Sequence, residues 1–138
     1  MAEITYEDVE PGDEFGPEEI VIDEAEARNH RNALELSHPW FEGDSPYSGP
    51  IAEPTCLGSP TVSMINERLP EGTPQPIHAK QTYEFHGPVR VGEPLTARGE
   101  ITGKYEKRGN RYLDFEVTVR DQSGTLVMKS IATDVMPE

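Results

Sequence analysis

His38 sits in the setting of this sequence where proton chemistry is best served. It lies two residues before an aromatic pair, Trp40 and Phe41, and Glu42, Asp44 and Glu53 are carboxylates within reach of the same loop. A His–Asp or His–Glu pair can orient a water and move its proton near neutral pH, which is general acid–base catalysis. The competing reading is structural: His38 packs beside Pro39 and Trp40, and Asp44 closes an Asx-type turn. Trp40, Phe41 and Tyr47 either wall an apolar pocket or fill the space beneath the loop.

The other reactive residue types carry less. Cys56 stands at a predicted helix start, which would lower its pKa and favour reactivity; the alternative is a small buried residue. It is the only cysteine, so an internal disulfide and a thiolate metal cluster are both excluded. His78 and His86 share a predicted strand face but lie about 26 Å apart along it, too far to share a metal. His30 falls on a polar helix and reads as solvated. Ser59 and Ser63 lack a nucleophile-elbow context, which argues against a serine hydrolase. The chain has no glycine-rich phosphate loop and no metal-ligand spacing, so neither cofactor nor metal is expected.

These residues must be positioned by a small protein. The chain has 138 residues, enough for one domain over residues 1–138 with one core. A hydrophobic share of 34% and a charged share of 28% suit a globular protein. Mean hydropathy is -0.65, so the core is lean. The net charge of -14 argues against electrostatic binding of nucleic acid or an anionic membrane, since both need a positive surface. No apolar run approaches the ~20 residues that cross a bilayer, and the acidic start lacks a signal core, so the expected compartment is the cytoplasm. Acid-rich and lysine-poor composition suits high salt; a biased genome or a basic partner explains it as well.

The element order follows from periodicity and punctuation. Tyr6 to Phe15 reads as a strand-poor lead-in, and Glu19 to Asp23 as a short β-rich run. Asp23 and Glu26 have capping-box spacing ahead of a surface helix over Glu24 to Glu35, with Ala25, Ala33 and Leu34 as a thin apolar stripe. Leu36 to Pro54 is a long loop, more often functional than not. Thr55 to Leu69 is the apolar core helix, with Pro60 in its first turn or at a kink. Ile77 to Phe85, Leu95 to Lys107, Arg111 to Asp121 and Thr125 to Val135 alternate as strands, with Gly109-Asn110 as a hairpin turn. The class is α+β, one antiparallel sheet with one helix for it to wrap around.

Three stretches resemble the MaoC-like dehydratase group of hotdog-fold proteins: Tyr6 to Phe15, Gly49-Pro50-Ile51-Ala52, and Tyr83 to Leu95 with its Pro-Val and Gly-acid steps. The resemblance covers nearly the whole chain. It implies a sheet wrapped around a long helix and two protomers paired edge to edge. It also implies a cleft at their interface for the thioester of an acyl-CoA or acyl-carrier chain, lying at the amino end of the helix. Such proteins add or remove water next to the thioester carbonyl, with an acid–base group on the water and N–H donors on the oxygen.

In active relatives the loop reads Asp-x-Asn-Pro-x-His. With Pro39 on the motif proline, Leu36 takes the place of the Asp, His38 of the Asn and Phe41 of the His, so both acid–base positions are apolar. Downstream, Ala52-Glu53-Pro54 stands where the family has Ala-His-Gly, and Pro54 has no N–H to give. The resemblance thus implies a hydratase or dehydratase homologue, a hydro-lyase if active, with a degenerate motif. His38 would be its base or acid and Asp44 its positioning group. Trp40, Phe41, Tyr47 and Glu53 would line the ligand, with the N–H groups of Thr55 and Cys56 on its carbonyl. The alternative is a catalytically silent hotdog subunit that binds an acyl ligand or pairs with an active paralogue, as homodimer or hetero-oligomer. A thioesterase would want a carboxylate on the core helix, where Glu67 comes too late. Arg108 and Arg111, beside a hairpin tip, either meet a CoA phosphate or are solvated charges.

Overall fold

A computed structural model describes residues 3–138. In chain order it contains β1 (Glu14–Ile20), α1 (Glu24–Ala33), a 3-10 turn (Pro39–Phe41), β2 (Ile51–Ala52), a second 3-10 turn (Pro54–Leu57), α2 (Gly58–Asn66), β3 (Ile77–Phe85), β4 (Val89–Arg90), β5 (Leu95–Lys107), β6 (Asn110–Arg120) and β7 (Leu126–Met136). Five strands form one antiparallel sheet in the order β1-β5-β6-β7-β3, and β2 and β4 make a separate ladder.

The alternation read in the C-terminal half is what the sheet buries. Leu113, Phe115, Val117 and Val119 of β6 are buried beside Met128 and Ala132 of β7 and Ala97 and Ile101 of β5. Leu57, Thr61, Met64 and Ile65 turn the apolar side of α2 onto that face. Both outer strands reach the helix. On the β1 side, the site of a Cβ on Gly16 lies 3.2 Å from the Met64 methyl; on the β3 side, the Tyr83 hydroxyl lies 2.8 Å from the equivalent point on Gly58. Arg68, just past α2, donates to the Glu18 carboxylate at 2.8 Å and stands over the Phe15 ring at 5.6 Å. The sheet therefore closes around α2 from two sides, as a hotdog requires.

Several boundaries differ from the sequence reading. The first strand is Glu14–Ile20, so it begins inside the expected lead-in and ends before Asp23. The core helix is shorter than Thr55 to Leu69. It starts as the 3-10 turn Pro54–Leu57, keeps Pro60 in the first turn of α2, and ends at Asn66 because Arg68 and Leu69 tighten to i→i+3 bonds before Pro70. The hairpin turn is Arg108–Gly109, one residue earlier than Gly109-Asn110. Both have positive φ (51° and 78°) between paired Lys107 and Asn110, the geometry of a two-residue type I′ turn.

Helix α1 starts as expected, with the Asp23 carboxylate accepting from the Glu26 N–H at 2.8 Å. Its inward side is different. Ala27 is buried, whereas Ala25, Ala33 and Leu34 face solvent. His30 follows Ala27 by three residues and therefore shares its face.

Candidate functional site

The turn at His38 is built around its own backbone. His38 caps the 3-10 turn: its Nδ1 accepts from the Trp40 N–H at 3.2 Å, and Pro39 occupies the first position. Its ring packs edge-on against Trp40 (5.3 Å between centroids) and Phe41 (5.9 Å), and Trp40 packs edge-on against Tyr47 (5.7 Å). The Asp44 N–H donates to the Pro39 carbonyl at 3.1 Å, and among the described residues no hydrogen bond joins Asp44 to His38. Histidine and aromatics are thus brought together, whereas the expected His38–Asp44 pair is not. Arg31 holds the turn from α1 by donating to the Phe41 carbonyl at 3.3 Å.

A second cluster stands where α1 meets the start of the core helix. His30 was read as solvated; instead its side chain is only 28% exposed and its Nε2 lies 2.6 Å from Glu53 Oε2 and 3.0 Å from Thr55 Oγ1. Glu53 caps the 3-10 turn: its Oε2 accepts from the Thr55 N–H at 3.2 Å and from the Thr55 hydroxyl. Burial works to raise the Glu53 carboxyl. The hydrogen bonds from Thr55 and His30 and the charge of His30 outweigh it, so the carboxyl is held below its ordinary value and is ionised near neutrality.

This capping changes the reading of Thr55 and Cys56. The Thr55 N–H is bonded to the Glu53 side chain and the Cys56 N–H to the Glu53 carbonyl at 3.1 Å, so both expected oxyanion donors are engaged inside the chain. Cys56 also departs from expectation. Burial first, and then the Glu53 carboxylate, push its thiol up to about 12, against the lowering expected of a helix start. A cavity of about 350 Å³ opens beside the cluster, lined by Ile22, Glu26, His30, Cys56, Ser59 and Ser63 with Pro60. Glu53 is not among its walls.

The remaining candidates are structural or edge residues. On β3, His78 Nδ1 meets Asp134 Oδ1 at 3.1 Å; burial raises the Asp134 carboxyl, and the opposing effect of His78 is the smaller one. His86 Nε2 lies 3.9 Å from Glu84 Oε1. Arg111 is not a free charge at a hairpin tip. It is tied to Glu7 and the Pro137 carbonyl and stands 4.9 Å over the Tyr6 ring, while Arg108 occupies the turn itself. No helix among the described residues is long and apolar enough to cross a membrane.

The family model described as FAS1-like, dehydratase domain region, matches residues 10–130. No curated protein matches the chain. Among solved structures, the unliganded R-hydratase PhaJ1 from Pseudomonas aeruginosa superposes with a TM-score of 0.81 at 23% identity, covering 99% of this chain and 87% of that one. The MaoC-like dehydratase from Rhodospirillum rubrum gives 0.75 at 17% identity, covering 94% of each chain. The C-terminally truncated HadBC complex from Mycobacterium tuberculosis, a 3R-hydroxyacyl-ACP dehydratase, gives 0.78 at 22% identity, covering 90% of this chain and 95% of that one. At these identities the likeness is one of fold. The α+β hotdog architecture read from the sequence holds, and so does its kinship with hydratases and MaoC-like dehydratases.

Proposed function

Because the chain belongs to the family of FAS1-like dehydratase domain regions, we propose that it is the acyl-thioester-binding half of a hydratase/dehydratase pair. Its ligand is an acyl-CoA or acyl-carrier thioester, and a second hotdog chain supplies the family's Asp and His. The resemblance supports this reading: with Pro39 laid on the motif proline, Leu36 and Phe41 stand where the family has its Asp and His, and neither side chain can accept or give a proton. His38, in the same turn, spends Nδ1 on the Trp40 N–H. The turn is apolar and partly open, with Leu36 43% and Trp40 38% exposed, which suits an acyl chain better than a catalytic water.

The pairing is argued from the sheet. β3 is an outer strand, bonded to β7 on one side only, and its exposed residues include Ile77 and Phe85 at 68% and 43%. A nine-residue edge with free N–H and C=O groups is a template for a second strand, and edge-to-edge addition of another hotdog satisfies it. The HadBC structure is of a complex, in keeping with a heteromeric partner.

The test is to co-purify the chain with a MaoC-like protein that keeps Asp-x-Asn-Pro-x-His and to follow enoyl-CoA hydration by loss of the conjugated absorbance. We expect a heteromer that binds acyl-CoA and hydrates enoyl-CoA, and whose turnover changes less than twofold on His38→Ala or Asp44→Ala in this chain. Failure of the chain to bind acyl-CoA, or collapse of turnover on His38→Ala, refutes the reading.

A further inference from the structure

A hotdog pair has two helix starts, and the partner's motif equips one of them; the other belongs to this chain, where a different acid–base arrangement is present. We propose that His30, oriented by Glu53, is a catalytic base for water addition to an enoyl thioester held in the adjoining cavity. This rests on the acyl-thioester reading above and adds to it a residue outside the Leu36–Phe41 turn.

The tautomer follows from the contacts. Glu53 is ionised and can only accept, so the proton between it and His30 sits on Nε2. The lone pair of a neutral imidazole is then on Nδ1, which has no hydrogen-bond partner among the described residues. A carboxylate that fixes one ring nitrogen and frees the other is the arrangement by which an imidazole serves as a base. His30 lines the cavity whereas Glu53 does not, so the pair meets the space a ligand would enter through its imidazole residue. That space, about 350 Å³, is at the lower end of ligand-pocket sizes and fits the reacting end of a thioester. The other titratable groups facing it are the Glu26 carboxylate of α1 and the Cys56 thiol, which is protonated.

The step balances without a further reactant. Nδ1 takes a proton from water as the water oxygen bonds to C3 of the enoyl thioester, and the C2–C3 π pair moves onto the thioester as an enolate. The imidazolium then returns that proton to C2, giving the 3-hydroxyacyl thioester and neutral His30. Dehydration is the reverse. Glu53 is a positioning residue throughout.

The experiment uses the purified chain alone with crotonyl-CoA and hexenoyl-CoA. Hydration is followed by absorbance, and binding of the saturated butyryl-CoA and hexanoyl-CoA by calorimetry. We expect slow turnover that falls about 100-fold or more in His30→Gln with acyl-CoA binding retained, in line with the usual worth of a general base. We also expect His30→Ala to recover part of its rate in added imidazole. In Glu53→Gln kcat should fall with KM little changed, and Glu53→Asp should restore part of it, a split that a merely structural role would not cause. Binding without turnover, or turnover unchanged in His30→Gln, overturns the proposal and leaves the binding reading standing. Absence of acyl-CoA binding overturns both.

Discussion

Replacing Gly99 by alanine tests how the sheet seats the core helix. Gly99 of β5 lies directly opposite Phe15 of β1, and a Cβ placed on it would stand 2.2 Å from ring atoms Cε2 and Cζ and 2.6 Å from Cδ2. Carbon atoms in contact prefer about 3.5–4.0 Å, so the Phe15 ring must retreat by more than about 1 Å. It has little room. It is 2% exposed, meets Phe115 edge-on at 6.3 Å, and lies beneath the Arg68 guanidinium that also holds Glu18. Overpacking of this kind costs about 1–3 kcal/mol. Removing a strand glycine returns about 0.5–1 kcal/mol through the unfolded chain. Contacts as short as 2.2 Å put the overpacking cost at the upper end of its range, so the net loss is about 2 kcal/mol, a Tm lower by about 6–10 °C for a chain of this size. Thermal unfolding followed by circular dichroism reads it. Phe15→Leu, which shortens the ring side chain, should recover part of the loss when combined with Gly99→Ala, giving a favourable coupling energy. An unchanged or higher Tm for Gly99→Ala, or strict additivity in the double variant, would refute the β1–β5 register and with it the placement of α2.

Two further outcomes concern the cluster at the helix start. The Glu53 carboxyl is lower in the folded chain than in the unfolded one, where about 4.3 is ordinary. Its stabilisation is therefore complete above that pH and is lost as pH falls through the lower, folded value. Glu53→Gln should destabilise at pH 7, and the gap to the wild type should narrow towards pH 3 in urea unfolding; a gap independent of pH would contradict this. The Cys56 thiol, pushed up to about 12, carries so little thiolate that iodoacetamide at pH 8 should alkylate it at least about 1,000-fold more slowly in the native protein than in urea. Comparable rates would show that the thiol is neither buried nor crowded by Glu53.

The fold was legible where period and burial agree. Leu113, Phe115, Val117 and Val119 alternate with Asp114, Glu116 and Thr118, and the sheet buries the first set while leaving the second half-exposed. β1 was read late because it is irregular. Its pairing with β5 shifts between Phe15 and Glu18, across a Gly–Pro step, so it has no clean alternation to read. β3 shows strict alternation yet remains largely exposed, since it is an edge strand paired with β7 alone among the described residues. Pattern reports the side-chain period of a strand; it does not report how many neighbours cover it.

The candidate site was half legible, for a related reason. The aromatic cluster at the turn is legible because His38, Trp40, Phe41 and Tyr47 are close in sequence and pack together. His30 and Glu53 are 23 residues apart, and nothing local links them. Two signals existed. A Glu-Pro-Thr run ahead of an apolar helix places Glu53 at the cap, where its carboxylate must turn back onto the Thr55 N–H. On α1, the polar character of the helix reads His30 as solvated; the burial of Ala27 turns it in, because the two are one helical turn apart. With a single small residue buried, the helix is oriented less by hydrophobicity than by the polar partners awaiting its side chains: Glu53 for His30 and the Phe41 carbonyl for Arg31. A thin apolar stripe is thus a reason to seek the orienting contacts among the helix's charged residues, and here they turn His30 onto Glu53 and into the lining of a cavity.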